Sequence, residues 1–193
     1  GTANGGENTT YVNVSSQVEL MPSVRSFNVG YMPPYTENSA PSPIVPNIEF
    51  TQNLLDFRGN YQGSSFSLSP IGQTLTVTQS FGFDLSDTGF EIGNDNIIRR
   101  SSDGSAVATG VISNNQVRVD FNQGPLTKEE AQDIARSMTF VDTSDDPYGV
   151  LNFAMRFYQT DAPTKFTAMG VGLLPVNDEP VLSATTIADS FNE

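Results

Sequence analysis

Residues 140–181, FVDTSDDPYGVLNFAMRFYQTDAPTKFTAMGVGLLPVNDEPV, hold two apolar-alternating runs set between three clusters of oxygen-bearing side chains. In the first run Leu151, Phe153, Met155 and Phe157 alternate with Asn152, Ala154, Arg156 and Tyr158, and in the second Met169, Val171 and Leu173 take every other place. Alternation with a period of two marks a half-buried strand, because successive side chains leave opposite faces. The two runs are therefore expected to pair as a hairpin. Asp142, Asp145 and Asp146 stand before them, Asp161 between them, and Asn177, Asp178 and Glu179 after them. A strand of about eight residues carries the chain roughly 26 Å. Strands running up and back send the Asp161 turn to one end of the domain and return the third cluster to the end where the first one sits.

Carboxylates gathered in this way repel one another unless a cation lies between them. Hard cations such as Ca2+ take six to eight oxygen ligands from Asp, Glu, Asn and backbone carbonyls. The simpler account of any single Asp is a turn residue bonding its own backbone. For the group, and for Asn177-Asp178-Glu179-Pro180 in particular, oxygen donors are in excess while nitrogen and sulfur ligands are absent, which points to Ca2+.

The remainder of the composition narrows the field. The 193 residues include neither Cys nor His, which removes disulfides, thiolate sites, the usual zinc ligand and the usual general base. With 22 acidic side chains in the same chain, this leans towards an extracellular calcium protein of a bacterial cell surface. A net charge of −13 argues against nucleic acid and against an anionic membrane surface as partners. No apolar run approaches a membrane span, so direct insertion is not expected, and Gly1 to Thr10 lacks the layout of a signal peptide. The chain has the look of a module whose export signal lies elsewhere.

Along the chain, residues 1–34 are expected to be a linker with brief extension strands at Tyr11–Val14, Val18–Met21 and Val24–Val29. The main domain is expected over 35–182, with 183–193 opening the next repeat. Within it, Ile44–Phe50, Ser65–Leu68 and Thr74–Thr78 are expected strands, Leu54–Gly63 a turn-rich connection offering Asp56 as a ligand, and Phe81–Asp103 the most irregular region. Val107–Ile112 and Val117–Phe121 suit a hairpin. One helix is expected after Thr127, which can cap it while Glu130 completes a capping box, with Ala131, Ile134, Ala135 and Met138 on the buried face. If Glu37 starts the first strand of the domain, it lies at the end opposite Asn177-Asp178-Glu179, a layout suited to head-to-tail modules that share ions.

Tyr35-Thr36-Glu37-Asn38, Val119-Asp120-Phe121-Asn122 with the helix after it, Ser137-Met138-Thr139-Phe140-Val141-Asp142 through Pro147, and Val176 through Leu182 together resemble the cadherin-like tandem repeats of giant bacterial surface adhesins, often those exported with RTX-type C termini. The resemblance covers about three-quarters of the chain. It implies an antiparallel β-sandwich of cadherin or immunoglobulin type with calcium at the poles, adjacent repeats of the same chain as partners, a monomeric state, and a place in cell adhesion and biofilm. Glu37, Asp145, Asp161, Asn177 and Asp178 match acidic or amide positions of that pattern. Thr160-Asp161-Ala162-Pro163 departs from it, offering one carboxylate where two are common.

Three classes of function follow. The first is a calcium-stabilised adhesive module that binds a peptide or protein on another cell, with Met32, Tyr35, Tyr61, Phe83, Asp84, Asp87, Phe90 and Asp95 as candidate contacts, since loops on a rigid sandwich carry recognition. Each of these aromatics taken singly is better explained by packing. The second is a spacer repeat whose ions only stiffen the junctions; a sugar-binding module stands between, weakened by the lack of Trp. The third, an enzyme, is not expected: without His, Cys, a nucleophile elbow or a phosphate-binding glycine loop, a carboxylate pair is the only catalytic equipment left.

Overall fold

The computed structural model describes residues 27–28, 33–113, 115–144, 147, 149–159 and 162–176. The strands in chain order are β1 (Phe27–Asn28), β2 (Tyr35–Thr36), β3 (Ser42–Pro43), β4 (Glu49–Phe50), β5 (Ser64–Pro70), β6 (Gln79–Phe83), β7 (Phe90–Ile92), β8 (Ile97–Arg100), β9 (Ala106–Ser113), β10 (Gln116–Phe121), β11 (Met138–Asp142), β12 (Gly149–Gln159) and β13 (Ala162–Leu174). Helix α1 spans Asn53–Arg58 and α2 spans Lys128–Arg136.

These elements make a predominantly β protein built as a sandwich. One layer is an eight-stranded sheet in the order β2-β13-β12-β5-β10-β9-β8-β7. Facing it are a three-stranded sheet, β3-β11-β6, and the short β1-β4 pair. The expected hairpin is present: β12 and β13 pair antiparallel from Gly149 opposite Leu173 to Gln159 opposite Ala162. The β9-β10 hairpin is present as well.

Aromatic side chains join the layers. Phe81 and Phe140 of the small sheet lie 5.8 and 6.0 Å from the Phe153 ring of β12. Phe50 of β4 is fully buried and touches four rings, at 5.7 Å from Tyr61, 5.6 Å from Phe66, 6.5 Å from Phe121 and 4.9 Å from Phe157. Burying each such side chain stabilises the fold by about 1.5–3 kcal/mol. Gly110 on β9 permits a close approach between the layers, since a Cβ there would stand 2.8 Å from Ile92 Cδ1 and 3.0 Å from the Phe83 ring.

Helix α2 carries the chain from the large sheet to the small one. Its capping box forms as the sequence implies: Thr127 Oγ1 accepts the Glu130 N–H, and the Glu130 carboxylate accepts the Thr127 N–H. Ala131, Ile134 and Ala135 are buried, and Gln132 Oε1 accepts the Phe50 N–H at 2.8 Å, tying the helix to β4.

Four expectations need correction. Residues 54–63 contain α1, ended by Gly59 in the left-handed conformation at φ 63°; the helix is too short to show a full period of apolar positions. Ile44 to Phe50 is not one strand: only Glu49–Phe50 (β4) is extended pairing, and the residues before it turn, with Ile44, Val45 and Ile48 buried all the same. Thr74 to Thr78 is a loop with Leu75 buried and Val77 fully exposed. Phe81–Asp103 is not irregular: it supplies β7, β8 and most of β6, with turn residues separating strands too short for alternation to register. Of the extension strands, only Phe27–Asn28 falls among the described residues, where it pairs with Phe50 and Glu49.

Candidate calcium pole and ligand surface

Glu37 does not lie opposite the end of β13. Strand β2 runs parallel to β13, with Tyr35 opposite Leu173 and Thr36 opposite Leu174. The Glu37 N–H donates to the Leu174 carbonyl at 2.9 Å and its Oε2 accepts the Val176 N–H at 2.7 Å. Glu37 therefore stands at the pole where β13 ends, bonded to Val176, the last of the described residues. Asn38 makes the turn there by taking a left-handed conformation at φ 56°, which Asn adopts more readily than most residues. The turn closes through Ser39, whose N–H and hydroxyl both donate to the Thr36 carbonyl.

Asp142, at the end of β11, belongs to the same end of the sandwich. The Tyr35 hydroxyl lies 3.1 Å from the Asp142 carbonyl and 2.9 Å from that of Ser39, and the Tyr35 ring meets Phe140 edge-on at 5.4 Å. The Asp142 side chain is 1% exposed. Its Oδ2 accepts from Gln79 Nε2 at 2.8 Å, and its Oδ1 accepts from the Ser144 N–H and hydroxyl at 3.0 and 2.7 Å. Burial pushes its pKa up, but the donors from Gln79 and Ser144 outweigh burial and hold it below the usual carboxylate range. Any ion must share this carboxylate with those three donors.

Glu37 is also buried, at 3% exposure, yet among the described residues its only donor besides Val176 is Asn38 Nδ2 at 3.4 Å. Among the described residues neither Glu37 nor Asp142 pairs with Lys or Arg. Acceptor capacity at Glu37 thus remains open, and an all-oxygen donor set suits a hard cation. Among the described residues no three carboxylates gather closely enough to hold a metal ion. Asp145, Asp146, Asp161, Asn177, Asp178 and Glu179 lie outside the described residues, as does Met32.

Most of the expected ligand contacts are occupied by packing. Tyr35, Tyr61 and Phe90 are 2%, 0% and 7% exposed and belong to the core, and Phe83 packs against it. Their rings fill the space between layers, so they offer no face to a partner. The Tyr61 hydroxyl donates to Asp56 at 2.7 Å; burial, reinforced by that carboxylate, pushes its pKa far above the ordinary phenol value. Asp56 also meets Lys128 Nζ at 3.3 Å, and this group lines a cavity of about 410 Å³ with Gly59, Thr127 and Glu129.

The acidic contacts remain on the surface. Asp84 accepts from the Ser86 hydroxyl at 2.6 Å, which holds its pKa below the ordinary value. Asp84 and Asp87 line a cavity of about 320 Å³ beside Pro43, Pro46, Asp133 and Arg136. Asp95 is held by two bonds from Arg99, at 2.6 and 3.1 Å, which bring its pKa to about 2. Asp95 thus serves the β7-β8 turn, where its Oδ1 also accepts the Ile97 N–H at 3.1 Å.

No protein-family model matches this chain, and neither a curated protein nor a solved structure matches it. Among the described residues no helix is long and apolar enough to cross a membrane.

Proposed function

We propose that the chain is a calcium-binding extracellular module of a bacterial surface adhesin, of the cadherin-like repeat type, holding Ca2+ at the pole where Glu37 meets the exit of β13. The observation that carries this reading is Glu37 itself: a carboxylate 3% exposed, facing neutral donors only among the described residues. An isolated buried charge is costly unless something compensates it. Asp142 stands at the same pole, where β12 begins and β13 ends; the acidic and amide residues 145, 146 and 177–179 adjoin those strands in sequence. Calcium bound there would fix the ends of β2, β11 and β13 to one another, and with them the direction in which the chain continues. No catalytic role is assigned to any residue.

Isothermal titration of the chelator-treated protein with Ca2+ tests the pole: saturable binding that Glu37→Gln weakens supports it, and the absence of binding removes it. Adhesion is tested apart from stiffening. Capture of the module on target cells that is lost with chelator supports an adhesive role for a peptide or protein ligand, whereas calcium binding without capture leaves a spacer repeat.

A further inference from the structure

The outward face of the eight-stranded sheet carries a row that runs straight across five strands. Val111 on β9 lies opposite Arg118 on β10, Arg118 opposite Ser67 on β5, Ser67 opposite Arg156 on β12, and Arg156 opposite Phe166 on β13. Phe66 and Leu68, the neighbours of Ser67 in its strand, are fully buried in the core, so Ser67 emerges on the other face between two arginines. Neighbouring strands stand about 4.8 Å apart, which sets the two arginine Cα atoms about 10 Å apart with Ser67 midway. Arg118 is turned along its own strand to Asp120 and Arg156 to Ser69 and the Phe166 ring, so Arg156 is the guanidinium of this row left open to a ligand.

We propose that this row is a binding site for a carboxylate-bearing saccharide of the uronic-acid type. Four observations support it. Arg156 is exposed and, among the described residues, meets no carboxylate, although acids outnumber bases by 22 to 9 in the chain. Its Nη1 donates to Ser69 Oγ at 2.8 Å and its guanidinium carbon lies 5.3 Å from the centre of the Phe166 ring, so the fork is held in place. A planar guanidinium fixed on an aromatic face is prepared for two-point bonding to a carboxylate.

Second, the neighbouring Arg118 is already satisfied by an acid of this chain, which leaves Arg156 as the open cation of the row. It donates to Asp120 Oδ2 on the same face at 3.1 Å through Nε and 2.6 Å through Nη2. Third, Ser67 is 6% exposed and its hydroxyl has no hydrogen-bond partner among the described residues. That hydroxyl can donate to or accept from a polar group placed beside Arg156. Fourth, Phe166 and Tyr158 are 58% and 48% exposed on this face and flank Arg156, giving a sugar ring two apolar platforms. Ser65, Ser69 and Asn152 supply hydroxyl and amide groups beside them. A flat face of short polar side chains and exposed rings favours a sugar chain laid across it over a peptide, whose affinity concentrates in side chains seated in pockets. The site is on the sheet face, not at the calcium pole, and does not depend on the reading of that pole.

The test is titration of the intact protein, with no calcium added because polyuronates bind Ca2+ themselves, with short oligogalacturonate, its methyl ester, and oligoglutamate of equal length. The expected result is binding of the free acid alone, weakened by added salt because exposed charges are screened. Arg156→Gln is expected to weaken it about tenfold or more while leaving the circular dichroism spectrum unchanged. Phe166→Ala, a second exposed position, is expected to weaken it also and serves if the first variant fails to fold. Equal binding of the ester, equal or tighter binding of oligoglutamate, or an affinity untouched by both variants overturns the proposal.

Discussion

The carboxylate of Glu37 accepts the backbone N–H of Val176 at 2.7 Å across 139 positions of sequence. With the Glu37 N–H bonded to Leu174, this draws the opening strand of the sandwich alongside its last one, in parallel. Parallel pairing at that edge makes one pole of the beginning and the end of the domain. On the calcium reading, an ion held there would join the two ends of the described sandwich.

The capping box of α2 is expected to matter for stability more than the exposure of its residues implies. Thr127→Ala removes the acceptor for the Glu130 N–H and should cost about 1 kcal/mol in urea unfolding. Glu130→Ala removes its bonds to both the Thr127 N–H and the Arg100 guanidinium, at 2.8 and 2.7 Å, and should cost more than Thr127→Ala. Equal losses for the two variants would show that the Arg100 pair contributes nothing.

Phe50 is the hub of the core, since it alone bridges β4 to rings on β5, β10 and β12. Phe50→Ala should destabilise the protein by about 3–5 kcal/mol. Phe57→Ala, at a ring 89% exposed, should change stability by less than about 0.5 kcal/mol. Chemical denaturation of the pair checks the contrast.

Acid should destabilise the fold through its depressed carboxylates. Glu130 is lowered chiefly by the Arg100 hydrogen bonds, and Asp142 by donors from Gln79 and Ser144 that outweigh its burial. A carboxylate whose folded pKa lies below its unfolded one adds stability that is complete above the unfolded value and lost as pH falls through the folded one. Unfolding free energy should therefore hold steady from neutral pH to about 5 and decline below about 4. Asp142→Asn, which keeps an oxygen acceptor but cannot titrate, should flatten that decline; an unchanged acid limb would show that Asp142 adds nothing to it.

Legibility in the sequence tracked the length of each element. Strand β12 announces itself because Leu151, Phe153, Met155 and Phe157 all face the core, and α2 because its cap and buried face fit within one short window. Strands β7 and β8 are hidden in the sequence: three or four residues cannot establish a period, and Asp95 between them, expected as a ligand contact, serves its own turn and Arg99. Glu37 was legible as a polar residue at a strand end, but its place depended on whether β2 joins β13 in parallel, which no local pattern encodes. Tyr35, Tyr61 and Phe90 could not be told from surface aromatics because burial is decided by the opposite layer. The row through Ser67 was invisible for a related reason, since it exists only once β5 is inserted between β10 and β12.

Thermal unfolding in chelator and in Ca2+, for the unaltered protein and for Glu37→Gln, tests the calcium pole most directly. Ligand at a hundredfold excess over Kd adds about 2.7 kcal/mol to stability. For a chain of this size that is a rise in Tm of about 5–10 °C. The unaltered protein should show it and Glu37→Gln should show less. A Tm indifferent to calcium, or the same rise in both proteins, would contradict a metal held at Glu37.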